Sequence, residues 1–293
     1  MKSFSKAVKE ELSKINPQNC CAKAELLALL LFCGRLSAKE ITFAAENEAL
    51  ASRLRLLFVS VFNLTLPENE LSVTGKASVE NILLSLRIIS HENKAFIRRH
   101  ADGFFLKRDC CRKGFVRGAF LAAGNVTDPE KSYHFEFSTH YLGLHRELYA
   151  LLEGAGFPFK NTLRKSNHIL YLKDSELIGD MLAFVGGYRQ QMAFLNAKIE
   201  KELRNDLNRS LNCTTANMGK TISAAARQIS AVEKIERFGA LESLNGELRE
   251  IADLRLKNPD LTITELGRLL SPPLTKSGIN HRIRKLMKIA EEL

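Results

Sequence analysis

The chain has 293 residues, 45% of them hydrophobic and 26% charged, with a formal net charge of +10, which is typical of a globular protein with two modest domains and a polyanionic partner. Its longest apolar run, Leu26 to Cys33, is far shorter than the ~20 residues of a membrane-spanning helix, so we expect no membrane association. The N-terminal segment carries acids and lacks an apolar stretch, unlike a signal peptide, so we expect a cytoplasmic protein.

The first strong pattern is an apolar helix that recurs ninety residues later. CCAKAELLALLLFCG at 20–34 aligns with CCRKGFVRGAFLAAG at 110–124, and both copies end in glycine. Each copy is apolar on nearly all faces, so each predicted helix has to be buried. Small residues at matching positions, such as Ala28 and Gly118, predict that the two helices pack closely against each other.

Cysteines open both copies of this repeat. The chain contains Cys20, Cys21, Cys33, Cys110, Cys111 and Cys213. None of them forms a CxxC pair, and adjacent cysteines rarely both reach one metal ion. A disulfide framework is also unusual in a cytosolic protein. We therefore expect small buried hydrophobic side chains at these positions, with no metal and no cofactor.

The segments that follow the two apolar helices also correspond. Alternating residues predict strands at Glu40–Ala45 and Tyr133–Ser138, so that each half is predicted as helix, strands, helix, strand, helix. We predict an α+β fold in which residues 1–195 form one domain of two pseudo-symmetric halves, about 20–90 and 110–190.

A basic stretch lies where the second copy begins. Residues 94–117 hold eight lysines and arginines against two aspartates. Such a stretch is either a solvated face or a surface for a polyanion, and the sequence leaves both interpretations open.

The apolar helices resemble a known pair. LLALLLFCG at 26–34 and VRGAFLAAG at 116–124 resemble the paired LAGLIDADG helices of homing endonucleases. The resemblance implies two adjacent helices, two saddle-shaped sheets over DNA, and a metal-binding acid just before the final glycine of each helix. Those positions here are Cys33 and Ala123. Alanine cannot bind a metal and a lone thiolate is a poor ligand for Mg²⁺, so we expect no catalytic residues and no cleavage by this route.

A polar segment separates the two predicted domains. Residues 196–218 carry apolar residues at helical spacing and predict a connecting helix that breaks near Asn212–Met218. Arg204 and Arg209 are candidates for phosphate contacts, with a solvated face as the alternative. Residues 219–293 predict only helices and form the second, all-α domain.

The last two predicted helices have the proportions of a helix-turn-helix. A capping box at Thr262 begins the first, and prolines at 272–273 end it. The predicted packing face of the final helix consists of Ile279, Ile283, Leu286 and Ala290. The residues predicted to contact double-stranded DNA, in the major groove and at its phosphates, are Lys276, Ser277, Asn280, His281, Arg282, Arg284, Lys285 and Lys288. A merely solvated helix usually interleaves acids, and none occurs between residues 267 and 290.

The two predicted domains together indicate one protein family more specifically than either domain does alone. The degenerate duplication, the phrase LRNDLNRSLNCTTANMGKTISAAARQI and the ending SPPLTKSGINHRIRKL resemble the WhiA family over essentially the whole chain. The resemblance implies a bacterial, nucleoid-associated, non-catalytic and sequence-specific DNA-binding transcription regulator. It also implies roles in sporulation in some lineages and in cell division or chromosome segregation in others. Another transcription regulator or RNA polymerase stays open as a protein partner.

The sequence leaves two other functions open. One is a metal-dependent DNA endonuclease with relocated acids, for which Asp128 and Glu130 are candidates because they follow the second apolar helix closely. Metal-dependent nicking would distinguish it. The other is an interaction module of the division machinery whose basic surface binds an acidic protein. Competition by DNA for that surface would distinguish this third function.

Overall fold

The first half of the N-terminal region alternates helices and strands after a short amphipathic helix. Its elements are α1 (Phe4–Leu12), α2 (Asn19–Cys33), β1 (Gly34–Leu36), β2 (Glu40–Phe43), α3 (Glu48–Phe62), β3 (Ser72–Thr74) and α4 (Lys76–Ser85). The strands form an antiparallel sheet in the order β1-β2-β3. The computed structural model describes residues 3–16, 18–44, 48–67, 70–94 and 96–293. None of the helices in these ranges combines the length and the hydrophobicity of a membrane span.

The second half repeats this order and adds a strand. Its elements are α5 (Asp109–Ala123), β4 (Gly124–Val126), β5 (Phe135–Thr139), α6 (Leu142–Gly154), β6 (Lys160–Arg164), β7 (Asn167–Leu172) and α7 (Ser175–Val185). The sheet is antiparallel, with strand order β4-β5-β7-β6. Gly34 pairs with Phe43 in the first half, as Gly124 pairs with Phe137 in the second. The predicted pseudo-symmetric α+β fold is confirmed.

The two apolar helices α2 and α5 lie side by side and parallel. A Cβ built on Gly114 would lie 2.9 Å from the carbonyl oxygen of Cys21, and one on Gly118 would lie 2.4 Å from that of Glu25. A step of four residues along α5, from Gly114 to Gly118, matches a step of four residues along α2, from Cys21 to Glu25. The two helices therefore run parallel. The predicted close packing is therefore confirmed, and it depends on the absence of side chains at these glycines.

We expect Gly118→Ala to destabilise the protein by about 1–3 kcal/mol, because the new methyl group would meet backbone rather than a flexible side chain. The matched control is Gly143→Ala, since a Cβ on Gly143 of α6 meets nothing within 4 Å. That control should leave stability unchanged or raise it by up to about 1 kcal/mol, because alanine favours helix over glycine. Urea unfolding followed by circular dichroism measures both changes. Equal midpoints for the two variants would contradict the close approach.

A buried ionic cluster crosses the interface between the halves. The Glu25 carboxylate of α2 accepts two bonds from Arg53 of α3, at 2.6 Å from Nε and 2.7 Å from Nη2. It accepts a third from Nε of Arg117 in α5 at 2.9 Å. The side chains of Glu25 and Arg53 are fully buried and that of Arg117 is 9% exposed. One carboxylate therefore pairs with two guanidinium groups at the centre of the fold, and the cluster keeps a net charge of +1.

The basic stretch 94–117 is not a single solvated face. Arg117 belongs to the buried cluster, and Arg99 donates to the carbonyl oxygens of Leu31 at 2.9 Å and Gly34 at 3.0 Å. Lys94 pairs with a glutamate of α4 at 2.5 Å. Arg99 and Arg117 thus bind partners within the fold, and Lys94 already has a carboxylate partner at the surface, which reduces the charge available to a polyanion.

The first turns of α2 and α5 bring four cysteines together. The Sγ atoms of Cys20, Cys21, Cys110 and Cys111 all lie within 4.8 Å of one another. Parallel packing of the two helices sets one pair opposite the other. The expectation of buried cysteines holds for Cys21 and Cys111 but is wrong for Cys110 and Cys213, which are exposed. Burial raises the pKa of Cys21 to about 12 and that of Cys111 to about 12.

The remaining elements are helical. They are α8 (Tyr188–Arg237), α9 (Gly246–Lys257), α10 (Ile263–Arg268) and α11 (Lys276–Glu292). The chain divides into two compact units, Met1–Glu202 and Leu203–Leu293, a division that falls within the predicted linker 196–218.

The predicted break near Asn212–Met218 is wrong, because α8 continues through it. The hydroxyls of Thr214 and Thr221 donate to carbonyl oxygens four residues earlier, each at 3.0 Å, so these polar side chains bond to the helix instead of ending it. Gly219 alone costs only about 1 kcal/mol in a helix.

Candidate nucleic-acid interface

Local sequence signals fix the two helices of the predicted helix-turn-helix. Thr262 and Glu265 form a reciprocal capping box at the start of α10, with the amide of Thr262 donating to the Glu265 carboxylate at 2.8 Å. Hydrogen bonds from the side chain and backbone of Thr262 lower the pKa of Glu265 below its ordinary value. The Thr275 hydroxyl caps α11 by accepting from the amide of Gly278 at 3.3 Å. The predicted capping box is confirmed.

The turn between these helices is tight. The amide of Leu274 donates to the carbonyl oxygen of Gly267 at 2.9 Å. A Cβ on Gly267 would lie 2.5 Å from the carbonyl oxygen of Leu274, so only glycine permits this approach. Pro272 and Pro273 lie between the helices and prevent α10 from continuing.

One face of α11 packs on a small hydrophobic core. Ile279, Ile283, Leu286 and Ala290 are buried, as the spacing predicted. They belong to a core to which α8 contributes Ile235, α9 contributes Ile251 and α10 contributes Leu266. This packing fixes which faces of α11 point outward.

The outward faces carry most of the predicted DNA-binding residues. The exposed side chains are Lys276, Ser277, His281, Arg284, Lys285 and Lys288, while Asn280 and Arg282 are half-buried. Lys288 lies 3.8 Å from the carboxylate of Glu292, and both side chains are largely exposed. Because such exposed pairs contribute little, Lys288 can exchange this partner for a phosphate.

Arg282 differs from the other predicted contacts. Its guanidinium lies 2.9 Å from the Glu247 carboxylate of α9, and its side chain is 24% exposed. The ion pair connects α11 to the core helices, so Arg282 is the least available cation of the set. Spacing alone did not reveal this partner, because Glu247 lies 35 residues earlier in the chain.

Sequence reasoning missed Arg255 of α9. Its side chain is 2% exposed, and its guanidinium donates to the carbonyl oxygen of Leu261 at 2.7 Å. Burial lowers its pKa. Arg255 therefore holds the loop that leads into α10, and its charge is not available to a ligand.

A polar cleft of about 400 Å³ lies beside the start of α11. Lys276 and Asn280 line it together with Gln228 of α8. The side-chain oxygen of Gln228 is buried and, within the described part of the chain, accepts no hydrogen bond. Asn280 thus faces a cleft as well as the outer surface of α11.

The two candidate phosphate contacts in the linker both lie in α8. Arg204 and Arg209 are exposed. Arg209 lies 3.5 Å from the Asp206 carboxylate in an exposed pair. Their placement is compatible with either a phosphate contact or a solvated face.

The positions that correspond to catalytic acids lie at the ends of the paired helices. Cys33 and Ala123 end α2 and α5, each followed by the glycine that begins a strand. The Cys33 thiol donates to the carbonyl oxygen of Leu29 at 3.1 Å. The Arg99 guanidinium on Gly34 adds a positive charge at the end of α2, which disfavours a divalent cation there.

Asp128, one of the two acids proposed as relocated ligands, has a local structural role. The Asp128 carboxylate accepts from the amide of Glu130 at 3.0 Å, and the carbonyl oxygen of Asp128 accepts from the amide of Lys131 at 3.0 Å. This is a side-chain-supported turn. In the described ranges, the one group of three or more side chains that could hold a metal is the cysteine cluster.

Two pseudo-symmetric halves around paired, glycine-terminated helices define a LAGLIDADG-like domain, here without the metal-binding acids and followed by a helix-turn-helix. The chain belongs to the WhiA family. The WhiA LAGLIDADG-like domain model matches residues 112–204, and the WhiA C-terminal HTH domain model matches residues 207–290.

Relatives and a solved structure agree with this assignment. The "Probable cell division protein WhiA" of Macrococcus caseolyticus is 37% identical over 99% of this chain and 96% of its own length. That of Alkaliphilus oremlandii is 38% identical, over 99% of this chain and 98% of its own length. The crystal structure of full-length DUF199/WhiA from Thermatoga maritima matches with a TM-score of 0.59 and 25% identity, covering 100% of this chain and 99% of the other.

Proposed function

We propose that this protein is a non-catalytic, sequence-specific DNA-binding transcription regulator that acts in cell division and chromosome segregation. The observation that supports it most is α11. Its packing face is buried, its opposite faces present cations, and no acid lies between Lys276 and Ala290. Such a helix fits the major groove of DNA, which is read by side chains near the start of a recognition helix.

The role in cell division is supported by the relatives, which carry the name "Probable cell division protein WhiA". Because the chain belongs to the WhiA family, the proposal also includes a role in sporulation in lineages that sporulate. We propose double-stranded DNA as the partner, with another transcription regulator or RNA polymerase as a protein partner of the LAGLIDADG-like domain. A chromosomal-occupancy map of the tagged protein tests the proposal, and enrichment no greater than that of an untagged strain would overturn it.

We expect Arg284→Ala to weaken binding to the preferred site by about 1–3 kcal/mol more than binding to scrambled DNA, because arginine pairs bidentately with guanine. The matched change is Lys288→Ala, one turn further along α11, which should weaken both by similar factors because it contacts phosphate. Fluorescence anisotropy with both duplexes at one salt concentration gives the ratios. An unchanged ratio for Arg284→Ala would move base reading to Asn280, His281 or the N-terminal unit.

The non-catalytic part of the proposal rests on Cys33 and Ala123, which leave the C-terminal ends of the paired helices without carboxylates. We expect no nicking of supercoiled plasmid in Mg²⁺ or Mn²⁺. Nicking that survives purification and disappears in Asp128→Asn or Glu130→Gln would establish the endonuclease with relocated acids instead. Catalytic loss without loss of DNA binding in these variants would separate the two functions.

A further inference from the structure

The four-cysteine cluster at the start of α2 and α5 has the composition of a metal site. Cys20 and Cys21 lie in the first turn of α2, and Cys110 and Cys111 in the first turn of α5. All six cysteines of the chain are free thiols. Each half of the domain thus supplies two sulfurs to one point on the pseudo-symmetry axis, at the opposite end of the paired helices from Cys33.

The spacing of the sulfurs fits a single tetrahedral ion. A Zn–S distance of about 2.3 Å places the sulfurs of a tetrahedral site about 3.8 Å apart. The Cys20 and Cys21 sulfurs are 3.8 Å apart, those of Cys110 and Cys111 are 4.0 Å apart, and no pair exceeds 4.8 Å. Movements of less than about 1 Å would complete the geometry. An iron–sulfur cluster needs more widely spaced thiolates, because its inorganic atoms lie between them.

The charges around the cluster suit a tetrathiolate. Four thiolates around Zn²⁺ carry two excess negative charges, which need compensation. Two helix N-termini meet here, and neither has a side-chain cap from its N-cap residue, Gln18 for α2 or Arg108 for α5. The positive ends of the two helix dipoles favour negative charge here. Lys23, Lys107 and Arg108 line the adjacent cavity.

The same cavity provides access. It has a volume of about 470 Å³, and both Cys20 and Cys111 line it. A metal ion can therefore reach the cluster from solvent, although two of the four thiols are buried.

We propose that Cys20, Cys21, Cys110 and Cys111 bind one structural Zn²⁺ that clamps the two halves of the LAGLIDADG-like domain together. Four soft thiolates favour Zn²⁺ over the oxygen-seeking Mg²⁺ or Ca²⁺. Because the protein fills all four positions, the site is closed and does not activate water. Each thiol loses its proton to solvent as its sulfur binds the ion, and nothing is oxidised or reduced. The site contains no residue of α11, so the inference does not rest on the proposed DNA binding.

The first test is the metal content of the full-length protein, purified in reducing buffer without chelator. Mass spectrometry of the elements should find about one zinc per chain. The double variant Cys20→Ser with Cys110→Ser should fall below about one tenth of that, because two ligands are lost. The matched control, Cys33→Ser with Cys213→Ser, removes two cysteines outside the cluster and should keep its zinc.

The second test does not require a variant to fold. Replacing zinc by Co²⁺ in the wild-type protein should give the intense visible and charge-transfer absorption of a tetrahedral four-sulfur site. Failure of the wild-type protein to take up zinc or to give this spectrum would overturn the proposal. Metal-free protein whose mass is lowered by disulfide formation would also overturn it, because the cluster would then be a redox-active pair of thiols. Wild-type zinc content in the double variant would overturn it as well.

Discussion

Replacing Glu25 by alanine is expected to lower the free energy of unfolding of the N-terminal unit by about 3–5 kcal/mol, because it leaves two buried guanidinium groups without a carboxylate. Both Arg53 and Arg117 lose their carboxylate in this variant. Glu25 and Arg53 are 0% exposed, so water cannot replace the lost partner without opening the core. The loss of stability measures the cost of burying two guanidinium groups without a carboxylate. It does not measure the net contribution of the ion pairs to stability.

Hydrogen exchange measured by mass spectrometry in increasing urea gives the free energy locally, from peptides of α2 and α5. The matched control is Glu48→Ala, which removes a carboxylate that is 80% exposed and 3.2 Å from Arg55 in the same helix as Arg53. Changes at such exposed positions stay within about 0.5 kcal/mol. Equal effects of the two substitutions would mean that the cluster is hydrated in solution.

A second pair of variants distinguishes stranded charge from lost packing. Replacing Glu25, Arg53 and Arg117 together by uncharged residues of similar volume should recover much of the stability lost in Glu25→Ala. A triple variant as unstable as the single one would assign the effect to packing. The cluster joins α2 and α3 of one half to α5 of the other, so its energy is an energy of assembly of the two halves.

The sequence predicts those parts of the fold that depend on local spacing. The apolar repeat gives the paired helices, and the capping box at Thr262 gives the start of α10. The face of α11 formed by Ile279 and Ile283 follows from helical periodicity alone. Strands β1 and β4 were missed because each has three residues and begins at the glycine that ends a helix, which leaves too few residues for alternation.

Features that join distant parts of the chain were missed for a different reason. Arg282 has a basic side chain on the predicted polar face, but only the fold shows that Glu247 pairs with it. The partners of Glu25 lie 28 and 92 residues away. The cysteine cluster lies between these two cases, because it could be predicted in part from the sequence. The repeat aligns Cys20 with Cys110, and parallel packing of the two helices then implies that the two cysteine pairs meet.

The positive charge on the helix-turn-helix should make DNA binding strongly dependent on salt. If about six lysines and arginines contact phosphates, the affinity for DNA should fall by roughly 10³ between 50 and 200 mM salt, because each contact releases a counterion. The exposed cations of α10 and α11 that can make such contacts are Arg268, Lys276, Arg284, Lys285 and Lys288. Arg204 and Arg209 of α8 are further candidates for phosphate contacts.

Single substitutions test that assignment. Lys276→Ala should reduce the slope of log affinity against log salt by about 1, because it removes one phosphate contact. Arg282→Ala should change the slope much less, because its guanidinium already has the Glu247 carboxylate at 2.9 Å. Anisotropy titrations of one labelled duplex at several salt concentrations measure both slopes. A nearly flat response of the wild-type protein would mean that the basic excess does not contact DNA, and an acidic protein partner would then account for it better.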